Sequence, residues 1–509
     1  MATSLLKPVE AWDATKARHL LNRAGFGGPS ERLAKIAAMG PAQAVAYFVD
    51  YETNPGVASA PDFLVMPRSP EELKQLYAGL DVEARRKKSN ELQAEERAAV
   101  QSLKGWWFER MHTTGRPLEE KLALFWHGHF ATSAQKVKSS WHTHQLNGVF
   151  RRHATGNFKQ LTIEAGQSPS MLRYLDNNKS TKKHPNENWA RELMELFTLG
   201  QGQYTEDDIK ESARAFTGWT ATHEKFAYRF DNHDGGPKTF MGKTGNFDGW
   251  DIINIIFEQP AASEFIAAKL WTYFAYDEPE RELVKALAAT LRESNYELKP
   301  MLRQMFASRA FYSDKAIARQ VKSPVQFVVQ LAFDMRYENP PYAAMARACQ
   351  SLGQDLFLPP NVKGWDGNLA WANANSMLLR YNMPQTMLAA NVAKDARMET
   401  MSKKGGDSEP MSSTMQETAK DAKADDGPDR WDAREFFLSL GFNTPNECVT
   451  KLAEHFLCVP LADDQRQVLL AALEPSAGPD APMNRKNVNP KNLFAAMHLL
   501  LSTAEYQLC

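Results

Sequence analysis

Apolar residues recur at three- and four-residue spacing from Asp13 to Arg23, and that period returns in segment after segment of the chain. Each run closes on a residue that stops a helix. Gly25-Phe26-Gly27-Gly28 ends the first, Ser30 reads as the N-cap of a second that stops at Gly40, and Pro41 suits the first turn of a third. Thr205-Glu206-Asp207-Asp208 has the form of a capping box, so a helix should start there. Residues 221–250 break the pattern, with Phe226, Tyr228 and Phe230 alternating with polar neighbours among several glycines. That predicts a small β-hairpin near 221–245 in an otherwise mainly α, multi-helix globular body.

A chain of 509 residues can bury a large core. The reading places a main helical domain at 1–393, with a charged helical arm over about 70–112 whose end, Trp106-Trp107-Phe108, must bury. Residues 394–430 are rich in Met, Ser, Lys, Asp and Gly and nearly lack aliphatic side chains, so a disordered linker is expected. A helical segment packing on the main body should fill 431–509.

The net charge of -1 gives no basic excess to hold nucleic acid or an anionic membrane. No stretch approaches the roughly 20 apolar residues of a transmembrane segment. The first residues, MATSLLKPVEAWDATKARHLL, lack a signal-peptide pattern. The chain as written is expected in the cytoplasm, with export beside a partner or after removal of a signal left open. Cys349, Cys448, Cys458 and Cys509 show neither Cys-x-x-Cys nor zinc spacing and fit buried thiols. Nucleotide-binding loops, the serine-hydrolase elbow, His-Glu-x-x-His and the dinucleotide fingerprint are missing from the sequence.

Polar residues concentrate in four places. In the run from Pro185 to Gly200, helical geometry puts Glu187, Arg191, Glu195 and Thr198 on one face, with Asn188 and Glu192 beside them. Such a face is either a solvated ion-pair stripe or a set of carboxylates for acid-base work or cation binding. His127 and His129 in Phe125-Trp-His-Gly-His-Phe130 would point to one side if extended, as ligands of one divalent metal ion do. On a helix they would lie about 200° apart. His142 and His144 repeat the spacing. His233, Asp234 and Lys238 occupy a Gly-rich stretch that reads as a functional loop or an ordinary Asp-Gly turn. Asn361, Lys363 and Trp365 lie on a fourth, of a composition that stacks on and hydrogen-bonds to sugars.

Taken together, these stretches resemble the bacterial family called "domain of unknown function 1800". The matching segments are His19-Leu-Leu-Asn-Arg23-Ala-Gly-Phe-Gly27, Phe125 to Phe130, Asn186-Glu-Asn-Trp-Ala-Arg-Glu-Leu193, and Tyr204 to Asp208 on to Thr217-Gly-Trp219. His233-Asp234 with Lys238, and Asn361-Val-Lys-Gly-Trp365, complete them. The resemblance implies a helical fold and a pattern that falls on polar side chains, hence one cleft assembled from several segments. It also implies, by association, a partner of the "domain of unknown function 1501" family, which resembles alkaline-phosphatase and sulfatase folds. The expected function is therefore a glycan- or anion-binding hydrolase acting with that partner. Glu187, Glu192, Glu195, Arg191, His233 and Asp234 would be catalytic, Asn188, Lys238, Asn361, Lys363 and Trp365 would hold the ligand, and His127 and His129 a metal. The alternative is a non-enzymatic adaptor or scaffold protein docking on an envelope partner.

Overall fold

Asp13 accepts a hydrogen bond from Lys16 N at 2.8 Å and so caps the helix Ala14–Arg23. Thr205 and Asp208 form the expected capping box at the head of Glu206–Ala215. Ser30 is not a cap: the helix Ser30–Met39 begins at Ser30, after an extended Pro29 that offers no side-chain acceptor. The computed structural model that supplies these coordinates describes residues 2–57, 61–384, 433–473, 478–483 and 489–509. The expected linker at 394–430 lies outside the described residues.

The charged arm is two helices rather than one. Pro70–Leu76 stops before Gly79, which has φ +71°, and Asp81 then caps Val82–Thr113 through Ala84 N at 2.7 Å. A left-handed glycine followed by a capping aspartate interrupts a helix whatever the charge pattern around it. The strand signal likewise resolves into two hairpins. Trp219–Ala221 pairs antiparallel with Phe226–Tyr228, and Lys238–Phe240 with Lys243–Gly245. Met241 and Gly242, both at positive φ, supply the tight turn of the second.

The described residues fall into two compact units. One lies within Met1–Val329 and Tyr342–Trp371 with Cys509, the other within Gln330–Pro341 and Ala372–Leu508. The first packs helix on helix: Pro117–His129 on Ser140–Arg152, Pro260–Phe274 on Arg281–Glu293, and Tyr342–Ser351 on Val82–Thr113. Trp107, Trp126, Trp189, Trp219 and Trp271 are among its fully buried side chains. Each indole removes ~150–250 Å² from water, worth an upper limit of roughly 4–6 kcal/mol at ~25 cal/mol per Å². The second unit closes over Phe437, Val449, Leu452, Phe456, Leu493, Met497 and Leu500, with the Tyr506 hydroxyl donating to Asp334 Oδ2 at 3.0 Å. All four cysteines are buried free thiols. Among the described residues no helix is long and apolar enough to cross a membrane.

Candidate functional site

Two helices of the first unit each turn a mixed stripe toward the same space. Lys121, Leu124, Phe125 and Gly128 follow one another at i, i+3, i+4 and i+7 on Pro117–His129. Phe265, Ala268, Lys269, Thr272 and Tyr273 do the same on Pro260–Phe274. The Tyr273 hydroxyl ties the helices together by donating to the Lys121 carbonyl at 3.2 Å. Between them lies a cavity of about 610 Å³, closed by Gln320, Gln326 and Gln354 and by the loop carrying Lys363, Trp365, Asp366, Asn368 and Trp371.

Residues of the sequence motifs brace the elements that line the cavity. Buried Arg23 donates to the Ala275 and Ala316 carbonyls at 3.0 and 2.9 Å and to Gln320 Oε1, and Gln320 Nε2 donates in turn to Thr272 O at 2.9 Å. Asn361 Oδ1 accepts from Lys363 N at 2.9 Å and shapes the turn that presents Lys363 and Trp365. The Asn186 helix contributes its end. It is α-helical over Glu187–Glu192 and widens to a π-helix over Leu193–Thr198. Carbonyls in the last turn of a helix have no N–H of their own to accept from. His129 Nε2 donates to Phe197 O at 2.9 Å, and Lys269 Nζ points at Leu196 O from 3.5 Å. A cation and an N–H donor at a helix C-terminus also suit its dipole.

The charges are unequally satisfied. Lys363 pairs with Asp366 at 2.7 Å, and Asp277 accepts from Asn368. Lys121 is buried, donates among the described residues to the Gln326 amide oxygen, and sits over the rings of Phe26 and Tyr273. Burial lowers its amine to about 7. Lys269, over the Phe265 ring, is lowered to about 8 by burial and then by the Lys363 charge. Burial holds His129 neutral, and its Nδ1 has no hydrogen-bond partner among the described residues.

Of the residues singled out in the sequence, His129, Lys363, Trp365 and Cys509 line this cavity, with a negative charge at Cys509 acting on Lys121, and His127 packs against Trp365 at 5.4 Å between ring centres. The His-x-His pair is helical rather than extended, so its imidazoles diverge. His127 Nε2 accepts from Phe357 N at 3.0 Å, while His129 serves Phe197. Among the described residues no group of three or more His, Cys, Asp or Glu side chains is placed to hold a metal ion.

The carboxylate face also differs from its expected form. The π-turn inserts extra backbone between Arg191 and Thr198, and Thr198 is buried. Arg191 grips Glu206 at 2.9 and 3.0 Å and reaches Glu187 at 3.5 Å, while Glu195 accepts from Tyr204 and Gln201 at 3.0 and 2.8 Å. Glu192 is half-buried, and burial followed by the Glu195 charge raises its carboxyl. Asn188 is exposed. The His233 loop is a third cluster: Arg214 Nε donates to Asp234 at 2.7 Å, His233 Nδ1 to Thr217 O at 3.0 Å, and buried Lys238 to the Asp234 and Gly236 carbonyls. Its polar groups hold the loop's own backbone. Neither cluster lines the cavity, so the motifs do not form one cleft.

Lys121, Lys269, Tyr273 and Gln326 were not anticipated. The signal was present in the sequence: Lys269 is a lone cation in the apolar run Phe265–Phe274, and Lys121 precedes Phe125 and His129 by one and two turns. No curated protein and no solved structure matches the chain. The family model described as "Protein of unknown function (DUF1800)" matches residues 19–508, nearly the whole length, and the chain belongs to that family.

Proposed function

We propose that the chain binds an acidic sugar, or a comparable anionic ring compound, in the cavity between Pro117–His129 and Pro260–Phe274. One observation carries the reading: three lysines, Lys121, Lys269 and Lys363, converge on a space walled by Phe125, Tyr273, Trp365 and Trp371. Aromatic faces stack on sugar rings, and ammonium groups recognise carboxylate or sulfate through charge-assisted hydrogen bonds. The volume falls within the ~300–1,000 Å³ typical of small-molecule sites. The carboxylates of Glu187, Glu192, Glu195 and Asp234 lie elsewhere, and Asp277 and Asp366 are already engaged, which supports binding over hydrolysis by a carboxylate pair. An acidic glycan is also a ligand that a sulfatase-like partner would share.

Calorimetric titration with the methyl glycoside of galacturonic acid tests the reading, with neutral methyl galactoside as control. The acidic sugar should bind the more tightly, and a Lys269→Met/Lys363→Met double variant should lose about tenfold or more in affinity, or ~1.4 kcal/mol. Equal binding of the two sugars, or an unchanged double variant, would sink it.

A further inference from the structure

Among the described residues, Lys269 has no carboxylate partner. Its one acceptor is the Leu196 carbonyl, at the outer limit of a hydrogen bond, and Nζ lies 5.2 Å from the centre of the Phe265 ring. It is only half-buried, so its amine stands on the cavity wall within reach of a ligand. Lys121 lines the same cavity but is buried and bound to Gln326, and would have to give up that bond to react. An apolar pocket together with a second cation, here Lys363, is the setting in which a lysine becomes nucleophilic near neutral pH. The amine's lowering to about 8 is consistent with that setting.

We propose that Lys269 is a carbonyl-reactive amine whose Nζ forms an imine with a ligand carrying both a carbonyl group and an anion. The inference rests on the reading of the cavity as an anion-binding site, and assigns that site a covalent chemistry. The neutral amine's lone pair attacks the carbonyl carbon, forming the C–N bond while the C=O π electrons move to oxygen, which is protonated. Nitrogen loses one proton, the hydroxyl takes one and leaves as water as the C=N bond forms, and the resulting iminium gives up nitrogen's second proton to leave the neutral imine. One amine and one carbonyl thus give one imine and one water, reversibly and with no net oxidation or reduction. Lysine suits the step because its ammonium gives up a proton readily once buried.

The full chain is incubated with pyruvate and cyanoborohydride, and the stable secondary amine is located by peptide mass spectrometry. Lys269 should be labelled at least tenfold faster than exposed lysines such as Lys179 and Lys210, and a folded Lys269→Arg variant should lose the fast adduct. Labelling of Lys269 at the rate of those exposed lysines, or fast labelling that persists in Lys269→Arg at another cavity lysine, would overturn the assignment. Lys269→Arg keeps the positive charge. In the wild type, acidic-sugar binding alongside slow labelling of Lys269 would reject the imine alone, whereas absence of charge-selective binding would reject the underlying reading.

Discussion

A β-carbon on Gly364 would lie 2.2 Å from the carbonyl oxygen of Gly128, so the loop carrying Lys363 and Trp365 docks backbone to backbone on the end of the helix carrying His129. Gly364 also has φ +86°, which L side chains adopt only with strain. Gly364→Ala should therefore lift the loop, cost about 2 kcal/mol or more in urea unfolding, and weaken binding of the acidic sugar. Gly128→Ala is the control, since its β-carbon would meet only the Trp365 ring at 3.9 Å. If Gly364→Ala is as stable as the parent and binds as well, the docking is not what holds the cavity wall.

His127 gives a second test, of structure rather than chemistry. Phe357 sits at φ +65°, and its N–H is accepted by the bare Nε2 of His127, which burial keeps neutral down to about 3. In the unfolded chain the imidazole takes a proton below its ordinary range near 6.5. Its contribution to stability is therefore complete above that value and declines as pH falls toward 3. His127→Phe leaves the Phe357 N–H buried and unmatched, at a cost of about 1–3 kcal/mol, and should flatten this part of the stability curve. Chemical denaturation between pH 7 and 4 measures both. An unchanged midpoint at pH 7 would count against the role.

What could be read from the chain divides along physical lines. Helices are local: their period and caps lie in consecutive residues, so the α class, the Thr205 box and the burial of Trp106-Trp107-Phe108 were all legible. The break at Gly79 was missed because a single left-handed residue hardly alters composition. The π-turn at Leu193–Thr198 was invisible because residue periodicity assumes a uniform turn, and it displaces Thr198 from the expected face. The cavity is a long-range object. Lys121 and Lys269 are 148 positions apart and line one cavity because their helices pack together through Tyr273 and Phe125, which no local pattern encodes.

Lys121 should leave a mark on the pH dependence of folding. Its amine titrates at about 7 in the folded protein and near its ordinary value of 10.5 when unfolded, so the unfolded state holds the extra proton between those values. Stability should then rise with pH from about 7 toward 10, by a few kcal/mol in all. Lys121→Met removes the proton and should lose that rise. Comparing urea midpoints of the two proteins at pH 7 and pH 9 checks it. A parallel change in both proteins would place the titration on another group.

Glu120 is the strongest test of the polar core. Its side chain is fully buried, accepts from Trp107 Nε1 at 2.8 Å and Arg110 Nε at 3.0 Å, and takes two bonds from Arg151, at 2.7 and 3.0 Å. Burial alone would push the carboxyl up, but the Arg151 and Arg110 guanidiniums and the indole N–H outweigh it and hold the group below the usual carboxylate range. A carboxylate so depressed contributes stability that is fully present above its unfolded value and is lost as pH falls through the folded one. Glu120→Gln keeps the shape and removes the charge, leaving two guanidiniums around a neutral amide, and should cost about 3–5 kcal/mol at pH 7. The difference from wild type should shrink below about pH 4, where the unfolded wild-type carboxyl takes its proton and the ionised folded one no longer gains by comparison. A difference that stayed constant from pH 7 to pH 3 would assign the loss to packing around Trp107 rather than to the charge.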